Sequence, residues 1–204
     1  MILFNFSHKY RFTPELILRQ SQTLEVLNSA KILGVVISSD LKWAKNTDFI
    51  VSKAMKRIWT LRRLRKLGFS DNFILDVYQK EIRTLLEYAV QVWNGALTKT
   101  DSDKIEKVQK IVMKFLLRKK YQSYSEAYEK FRIKKLSDRR HKLCLKFAIK
   151  EFENSTTFFK KISTQKRRAV SKKKFVHEPK TRTKRHFSSS YVFLTRLFND
   201  NYKP

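Results

Sequence analysis

The sequence predicts a mainly α-helical protein with a small β element at its N-terminal end. The first observation is that turn residues are scarce, since 204 residues contain only 3 Gly and 3 Pro. A sandwich, a barrel or a nucleotide-binding fold of this size needs more. The second observation is the helical spacing of apolar residues through the middle of the chain. The third is a hydrophobic content of 42%, with 16 Phe, 8 Tyr and 3 Trp, which is enough for a packed core.

Residues 1–45 are predicted to form a β-hairpin or meander. Short apolar runs separated by polar breaks are typical of strands, and they lie at 1–6, 16–18, 23–27 and 31–37. β-Branched residues favour one strand over 32–37, and Gly34 inside it indicates a bulge or the close approach of another backbone. Asp40 follows this strand and is interpreted as a turn residue rather than a metal ligand.

A helical domain is predicted at 46–153, where apolar residues recur every three or four positions. The first helix carries the stripe Ile50, Ala54, Ile58, Leu61 and Leu64 and ends at Gly68. Ser70 is expected to cap a second helix with the inner face Ile74, Tyr78, Ile82, Leu85, Ala89 and Val92. Asn94 and Gly95 are expected to break this helix.

Three further helices are predicted in the same domain. Thr100 and Asp103 resemble a capping box for a helix at about 101–119, whose core face is Ile105, Val108, Ile111, Val112, Phe115 and Leu116. Ser123 and Glu126 form another capping box before a short helix. Ser137 is expected to begin a fifth helix, with Leu143, Phe147 and Phe152 facing inward.

The C-terminal quarter is predicted to be a basic, partly disordered linker at 154–187, followed by a short helix within 188–204. Residues 154–187 show no stable apolar period, whereas apolar residues return at 191–194 and 197–198. Residues 154–204 hold 14 basic and 2 acidic groups, so this part carries nearly half of the net charge of +28.

The large positive charge indicates a polyanionic partner. Lys and Arg number 46 against 18 Asp and Glu, and a compact chain with this excess repels itself unless a polyanion neutralises it. Nucleic acid is the commonest polyanionic partner. An acidic membrane surface is the alternative partner. Any single basic run, taken alone, is explained as a solvated face or a localisation signal. The residues predicted to contact phosphates are Arg62, Arg63, Arg65, Lys66, Lys107, Lys110, Lys114, Arg118, Lys119 and Lys120, with Arg167, Arg168, Lys172, Lys173 and Lys174 in the tail.

Other chemistry has weaker signals. Cys144 is the only cysteine, which excludes an intramolecular disulfide and a cysteine-cluster zinc site, and its apolar neighbours predict burial. The four histidines show no ligand spacing. No apolar run reaches the length of a membrane span, so we expect an intracellular protein, nuclear or cytoplasmic, without membrane partners.

Several single residues have a structural and a functional interpretation. Asp101 and Asp103 lie near a helix start, where capping explains them better than catalysis. Glu87 is expected to make a buried hydrogen bond. Trp59 and Trp93 are predicted to pack in the core, and Trp43 to pack or to stack on nucleic acid.

An ordered set of short motifs resembles the C-terminal region of non-LTR retrotransposon reverse transcriptases, the jockey and LINE-like mobile elements. Each piece alone is weak, but together they cover nearly the whole chain with the expected spacing. Residues 31–35 and 40–43 match the family's K-LGV and D-L-W pieces, 61–64 match LRRL, and 82–93 match IR, LEYA and VW. Residues 105–110 match LE.VQK with Ile105 in place of Leu, 136–145 match L..RR..LCL, and 192–199 resemble IPYL.RLLN.

The resemblance implies a fragment containing the end of the palm, the thumb and the basic tail of an RNA-directed DNA polymerase. Such enzymes hold Mg²⁺ on palm carboxylates in an aromatic-x-Asp-Asp turn, and this sequence contains no Asp-Asp pair. The fragment is therefore expected to need no cofactor and to be non-catalytic, because Mg²⁺ would belong to the missing palm. By the same resemblance, Leu33, Gly34 and Val35 match the block near the primer grip, and the helices at 46–119 hold a template–primer duplex of RNA or DNA without sequence readout.

Two functions remain open at this point. The chain binds nucleic acid as a truncated reverse-transcriptase-like fragment, or it is an interaction module that docks onto a separately encoded polymerase or another protein. In the second case its N-terminal strands are a sheet edge that awaits a partner.

Overall fold

A computed structural model describes residues 27–154, 157–161 and 175–202. The described residues are mainly helical with one two-stranded antiparallel sheet near the N-terminal end, which confirms the predicted fold class. The strands predicted before residue 27 lie outside the described residues. One hydrophobic core joins the helices, and it runs from Ile50 to Phe198.

The single strand predicted over 32–37 is wrong, because the chain reverses in the middle of it. Strand β1 (Ser29–Ile32) pairs with β2 (Val35–Ser38) in a hairpin. The two turn residues, Leu33 and Gly34, have φ of 47° and 85°. Positive φ at both positions is what a type I′ hairpin turn requires. A Cβ at Gly34 would lie 3.2 Å from a ring carbon of Tyr88, so the close approach there is to an aromatic side chain.

Helix α1 (Ala44–Lys66) has the predicted apolar stripe. Ile50, Ala54, Ile58 and Leu61 are buried, and Leu64 is half-buried against the core. Buried Asn46 accepts a hydrogen bond from the backbone N–H of Val36 at 3.1 Å, which fixes the hairpin against the first turn of the helix.

The second predicted helix is interrupted. Ser70 caps α2 (Asp71–Val77) as expected, but a π turn follows at Tyr78–Ile82. Helix α3 (Arg83–Glu87) ends at Tyr88, and Ala89 at φ 50° separates it from α4 (Val90–Trp93).

The inner face beyond the π turn is one residue later than predicted. A π turn holds one residue more than an α turn, so the side chains after it rotate relative to a regular helix. Leu86, Val90 and Trp93 are buried in place of Leu85, Ala89 and Val92, and Val92 is 42% exposed.

Helix α5 (Lys99–Leu117) begins two residues earlier than the predicted capping box. Thr98, not Thr100, is its N-cap, and its hydroxyl accepts a hydrogen bond from the backbone N–H of Asp101 at 3.1 Å. Ser123 caps α6 (Tyr124–Lys130) as predicted.

Helix α7 (Leu136–Glu153) closes one side of the core. Its buried face is Leu136, Arg140, Cys144 and Ala148.

The C-terminal segments also pack against the core. Parts of the expected linker are packed, because Phe159, Phe175 and Val176 are buried and Lys161 forms an antiparallel bridge with Val176. After α8 (Lys184–Phe187), α9 (Ser190–Asn201) packs on α7. Gly95 permits its approach, since a Cβ there would lie 2.6 Å from Phe193.

Two polar side chains of α5 organise the middle of the bundle. The Glu106 carboxylate accepts hydrogen bonds from the backbone N–H groups of Leu136 at 3.1 Å and Ser137 at 3.2 Å, so it caps the start of α7 from another helix. Tyr124 donates to the same carboxylate at 2.5 Å. One turn later, Gln109 accepts from the Tyr78 hydroxyl at 2.8 Å.

We predict that Glu106→Gln destabilises the fold by about 2–3 kcal/mol, because an amide NH₂ then replaces one acceptor oxygen among three donors in a buried site. Urea unfolding followed by circular dichroism measures the free energy of unfolding. The helical content before unfolding should be unchanged.

Asp103→Asn is the matched control for this prediction. Asp103 is an exposed carboxylate on the same helix, and its removal should change stability by less than about 0.5 kcal/mol. If Glu106→Gln lowers the free energy of unfolding by no more than Asp103→Asn does, the Glu106 carboxylate does not hold α7 in place.

Candidate nucleic-acid interface

The outer face of α1 is strongly basic. Among its 23 residues, Asp48 is the only acid, against eight Lys and Arg. Arg57 and Arg65 form ion pairs with Glu81 and Asp71. Within the described part of the chain, the structure gives no ion pair to the other six, which are Lys45, Lys53, Lys56, Arg62, Arg63 and Lys66. The predicted residues Arg62, Arg63 and Lys66 are therefore exposed cations in the last turns of this helix.

Trp59 lies among these cations, and the prediction that it packs in the core is wrong. Its side chain is 60% exposed, whereas Trp93 is 1% exposed. The guanidinium of Arg63 lies 5.5 Å from the Trp59 ring centre. Trp59 follows the buried stripe position Ile58 by one residue, which places it about 100° around the helix. That spacing was the signal in the sequence for an exposed aromatic residue.

Helix α5 contributes a second basic strip. Lys107, Lys110 and Lys114 are exposed and three or four residues apart, so they share one face. Lys110 lies 5.3 Å from the ring centre of Tyr124. Lys104 is instead held by Asp48 of α1 at 2.7 Å, and this ion pair raises its pKa through the hydrogen bond to Asp48.

Arg65 differs from its predicted neighbours because its charge is used inside the bundle. Its guanidinium lies 4.0 Å from the ring centre of Phe115, donates to the Phe115 carbonyl at 2.5 Å and pairs with Asp71. Arg65 is therefore a structural residue. It brings the C-terminal end of α1 next to the C-terminal end of α5. The basic residues in the last turns of these two helices therefore lie at the same end of the bundle.

An open groove of 610 Å³ lies at this end, which we call the basic end. Its lining includes Arg118, Lys120 and Lys130 beside the apolar Leu116 and Phe131. Arg118 has φ 51° and ψ −125°, a backbone conformation that suits glycine and strains any residue with a Cβ. The backbone of Lys119 continues this turn. The tail residues Arg167, Arg168, Lys172, Lys173 and Lys174 lie outside the described residues.

The hairpin block that resembles a primer grip lies on the other side of the bundle core. Leu33 is 87% exposed at the turn, Gly34 packs on Tyr88, and Val35 is buried. The Tyr88 hydroxyl donates to the Leu33 carbonyl at 2.8 Å. Trp43 is half-buried and packs against the core, which supports the packing interpretation.

The candidate acid, base and nucleophile residues have structural roles. Asp101 is the capping partner of Thr98, and Asp40 accepts from the backbone N–H of Lys42 at 3.0 Å in a turn. Glu87 binds the guanidinium of Arg139 through both oxygens, at 2.5 and 3.0 Å. Cys144 is buried as predicted, and burial raises the pKa of its thiol to about 12, so it stays protonated at neutral pH.

The described residues contain no group of three His, Cys, Asp or Glu side chains placed to hold a metal ion. Within the same ranges, every helix is too short or too polar to span a lipid bilayer.

No protein-family model, no curated protein sequence and no solved structure matches the chain.

We predict that Arg118→Gly raises the free energy of unfolding by about 1 kcal/mol, because glycine adopts this backbone conformation without a Cβ clash. Arg118→Ala is the matched control, since it removes the same charge and keeps the Cβ. Urea unfolding of both variants measures the difference. Equal stability of the two variants would contradict the strained turn.

Proposed function

We propose that this chain binds duplex nucleic acid without sequence preference, through the outer face of α1 and the basic end. We further propose that it is a non-catalytic thumb-like fragment of a non-LTR retrotransposon reverse transcriptase. The observation that carries the first proposal is that the basic faces of α1 and α5 meet at the C-terminal ends of these helices. In the ranges that the structure describes, Arg62, Arg63, Lys66 and Lys114 form no ion pair there.

The geometry suits phosphate contacts better than base readout. Lys56, Arg63 and Lys66 recur along one side of α1, and the distance from first to last is about 15 Å at the rise of an α-helix. A row of cations at this spacing follows a phosphate backbone and carries no sequence information. Trp59 within the row offers a ring face on which an unpaired base at a duplex end could stack.

Contacts between the motifs support the family proposal. Tyr88 of the LEYA piece packs on Gly34 of the LGV piece. Glu87 of the same piece binds Arg139 of the L..RR..LCL piece, and Glu106 of the LE.VQK piece caps the helix that begins at Leu136. Four of the motifs that carry the resemblance are thus joined by direct contacts, as expected if they belong to one fold.

An interaction module is the second candidate, and an exposed apolar cluster favours it. Leu67 is 68% exposed, and the stacked rings of Phe69 and Phe73, 4.7 Å apart, are 43% and 44% exposed. These residues follow the last turn of α1. A protein partner that covers them would gain apolar burial.

We predict that the variant carrying Arg62→Gln, Arg63→Gln and Lys66→Gln binds a duplex more weakly and with a smaller salt dependence. Each lost phosphate contact reduces the magnitude of the negative slope of log K against log salt by about 0.9 on B-DNA, so the loss of three contacts reduces it by about 2.7. Fluorescence anisotropy of labelled DNA and RNA–DNA duplexes over a range of NaCl concentrations measures the slope.

The control carries Lys99→Gln, Lys150→Gln and Lys180→Gln, which removes the same charge from exposed positions outside the proposed face. The salt slope of this control should differ from the wild-type slope by no more than about 0.9, which is the share of one phosphate contact. An equal loss in both variants would show that net charge alone drives binding. Unchanged duplex binding with an unchanged salt slope in the first variant would contradict the proposed interface.

We predict no templated primer extension by the purified chain with Mg²⁺ or Mn²⁺, because the sequence contains no Asp-Asp pair to hold two metal ions. The assay is incorporation of labelled deoxynucleotides on an annealed RNA template and DNA primer. Extension above that of a mock preparation from cells with an empty vector would overturn the non-catalytic assignment.

A further inference from the structure

A second basic cleft of 410 Å³ lies between the π turn, the α6–α7 connection and α7. Six of its nine lining residues are basic and none is acidic; the six are Arg83, Arg132, Lys134, Arg139, Lys142 and Lys146. The duplex-binding face proposed above does not use these residues. The cleft therefore needs its own explanation.

Two of the arginines share one carboxylate. The Nε atoms of Arg139 and Arg83 lie 2.5 and 4.0 Å from the same oxygen of Glu87. Arg83 Nε is buried and makes no hydrogen bond within the described residues. Burial and the neighbouring Arg139 charge lower the pKa of Arg83, so the single carboxylate does not balance the two guanidinium groups.

The other four cations add charge without compensation. Arg132, Lys134, Lys142 and Lys146 are exposed at the cleft, and no carboxylate of the described residues forms an ion pair with them. Among the described residues, Glu87 is the carboxylate that forms ion pairs with cations of this cleft. The cleft is therefore a concentrated positive site, and a concave site focuses its field.

Arg132 occupies a position that normally belongs to glycine. At the end of α6, the backbone N–H groups of Arg132 and Ile133 donate to the carbonyls of Glu129 at 3.1 Å and Tyr128 at 2.8 Å. This is the Schellman arrangement, in which the residue at positive φ is usually Gly. Arg132 holds φ 51° there, so the fold accepts backbone strain and places a guanidinium at the rim of the cleft.

We propose that this cleft binds a compact phosphate-rich anion, either the terminal phosphate of a nucleic-acid strand or a small polyphosphate. Guanidinium groups bind phosphate oxygens in pairs of parallel hydrogen bonds, and pockets of about 300–1,000 Å³ hold small ligands. A concave site of this size takes a phosphate group rather than the side of a duplex. The proposal is independent of the duplex-binding face.

Isothermal titration calorimetry of the full chain with sodium tripolyphosphate tests the site. We expect binding to the wild type, and a loss of at least about tenfold in affinity in Arg132→Gly and in Lys142→Gln, since each removes a charged hydrogen-bond donor. Lys150→Gln is the matched control, because Lys150 is an exposed lysine of α7 that does not line the cleft. It should keep the wild-type affinity.

Arg132→Gly also separates binding from folding. Glycine relieves the positive φ, so the melting temperature of this variant should stay the same or rise by about 2–4 °C. No binding to the wild type, or equal losses in Arg132→Gly, Lys142→Gln and Lys150→Gln, would overturn the site.

A second titration identifies the source of the phosphate. The same oligonucleotide hairpin is compared with a 5′-phosphate and with a 5′-hydroxyl group. A preference for the 5′-phosphate that Arg132→Gly abolishes assigns the site to a strand end, whereas equal binding of both hairpins with retained tripolyphosphate binding assigns it to a small anion. The variant that carries Arg62→Gln, Arg63→Gln and Lys66→Gln should bind tripolyphosphate as tightly as the wild type does. This holds even if neither protein binds the duplex.

Discussion

Glu106 and Gln109 lie one turn apart on α5, and their hydrogen bonds fix three other elements around that helix. Gln109 donates to the Tyr124 hydroxyl at 2.6 Å and to the Lys134 carbonyl at 3.1 Å, while Glu106 caps α7. A buried carboxylate or amide that loses its partners is costly, so α6, α7 and the π turn have little freedom to move relative to α5. The basic strip of α5 and the cleft beside α7 are held at fixed positions for this reason.

Three acids serve the interior of the bundle and add little negative charge to its surface. Asp101 and Glu106 are 5% and 9% exposed, and the Glu87 side chain is 10% exposed. These carboxylates cap helices or pair with Arg139 inside the bundle, and so they do not neutralise the outer faces. Among the described residues, Arg140 is the basic residue with the smallest exposure, 2%, and burial lowers its pKa. Each of these carboxylates stabilises the fold from inside the bundle, so it is not available to neutralise a surface cation.

Much of this fold was predictable from local patterns. The stripe of α1, the caps at Ser70 and Ser123 and the burial of Cys144 follow from spacing and helix-end chemistry. The position of the hairpin turn was missed because Leu33, a residue that rarely adopts positive φ, occupies that turn. Of the candidate site, the exposed cations were predictable, but the internal role of Arg65 depends on a long-range contact with Phe115 that no local pattern contains.

The π turn at Tyr78–Ile82 has a consequence for how this chain can change in length. Removing one residue from a regular α-helix turns everything beyond it by about 100° and takes the apolar face out of the core. Removing one residue from the π turn leaves a regular α turn, and Leu86 stays inward. The π turn therefore contains one residue more than the helix needs. A single-codon deletion there would keep the apolar residues of the bundle in the core, whereas the same deletion in α1 or α5 would rotate them out of it.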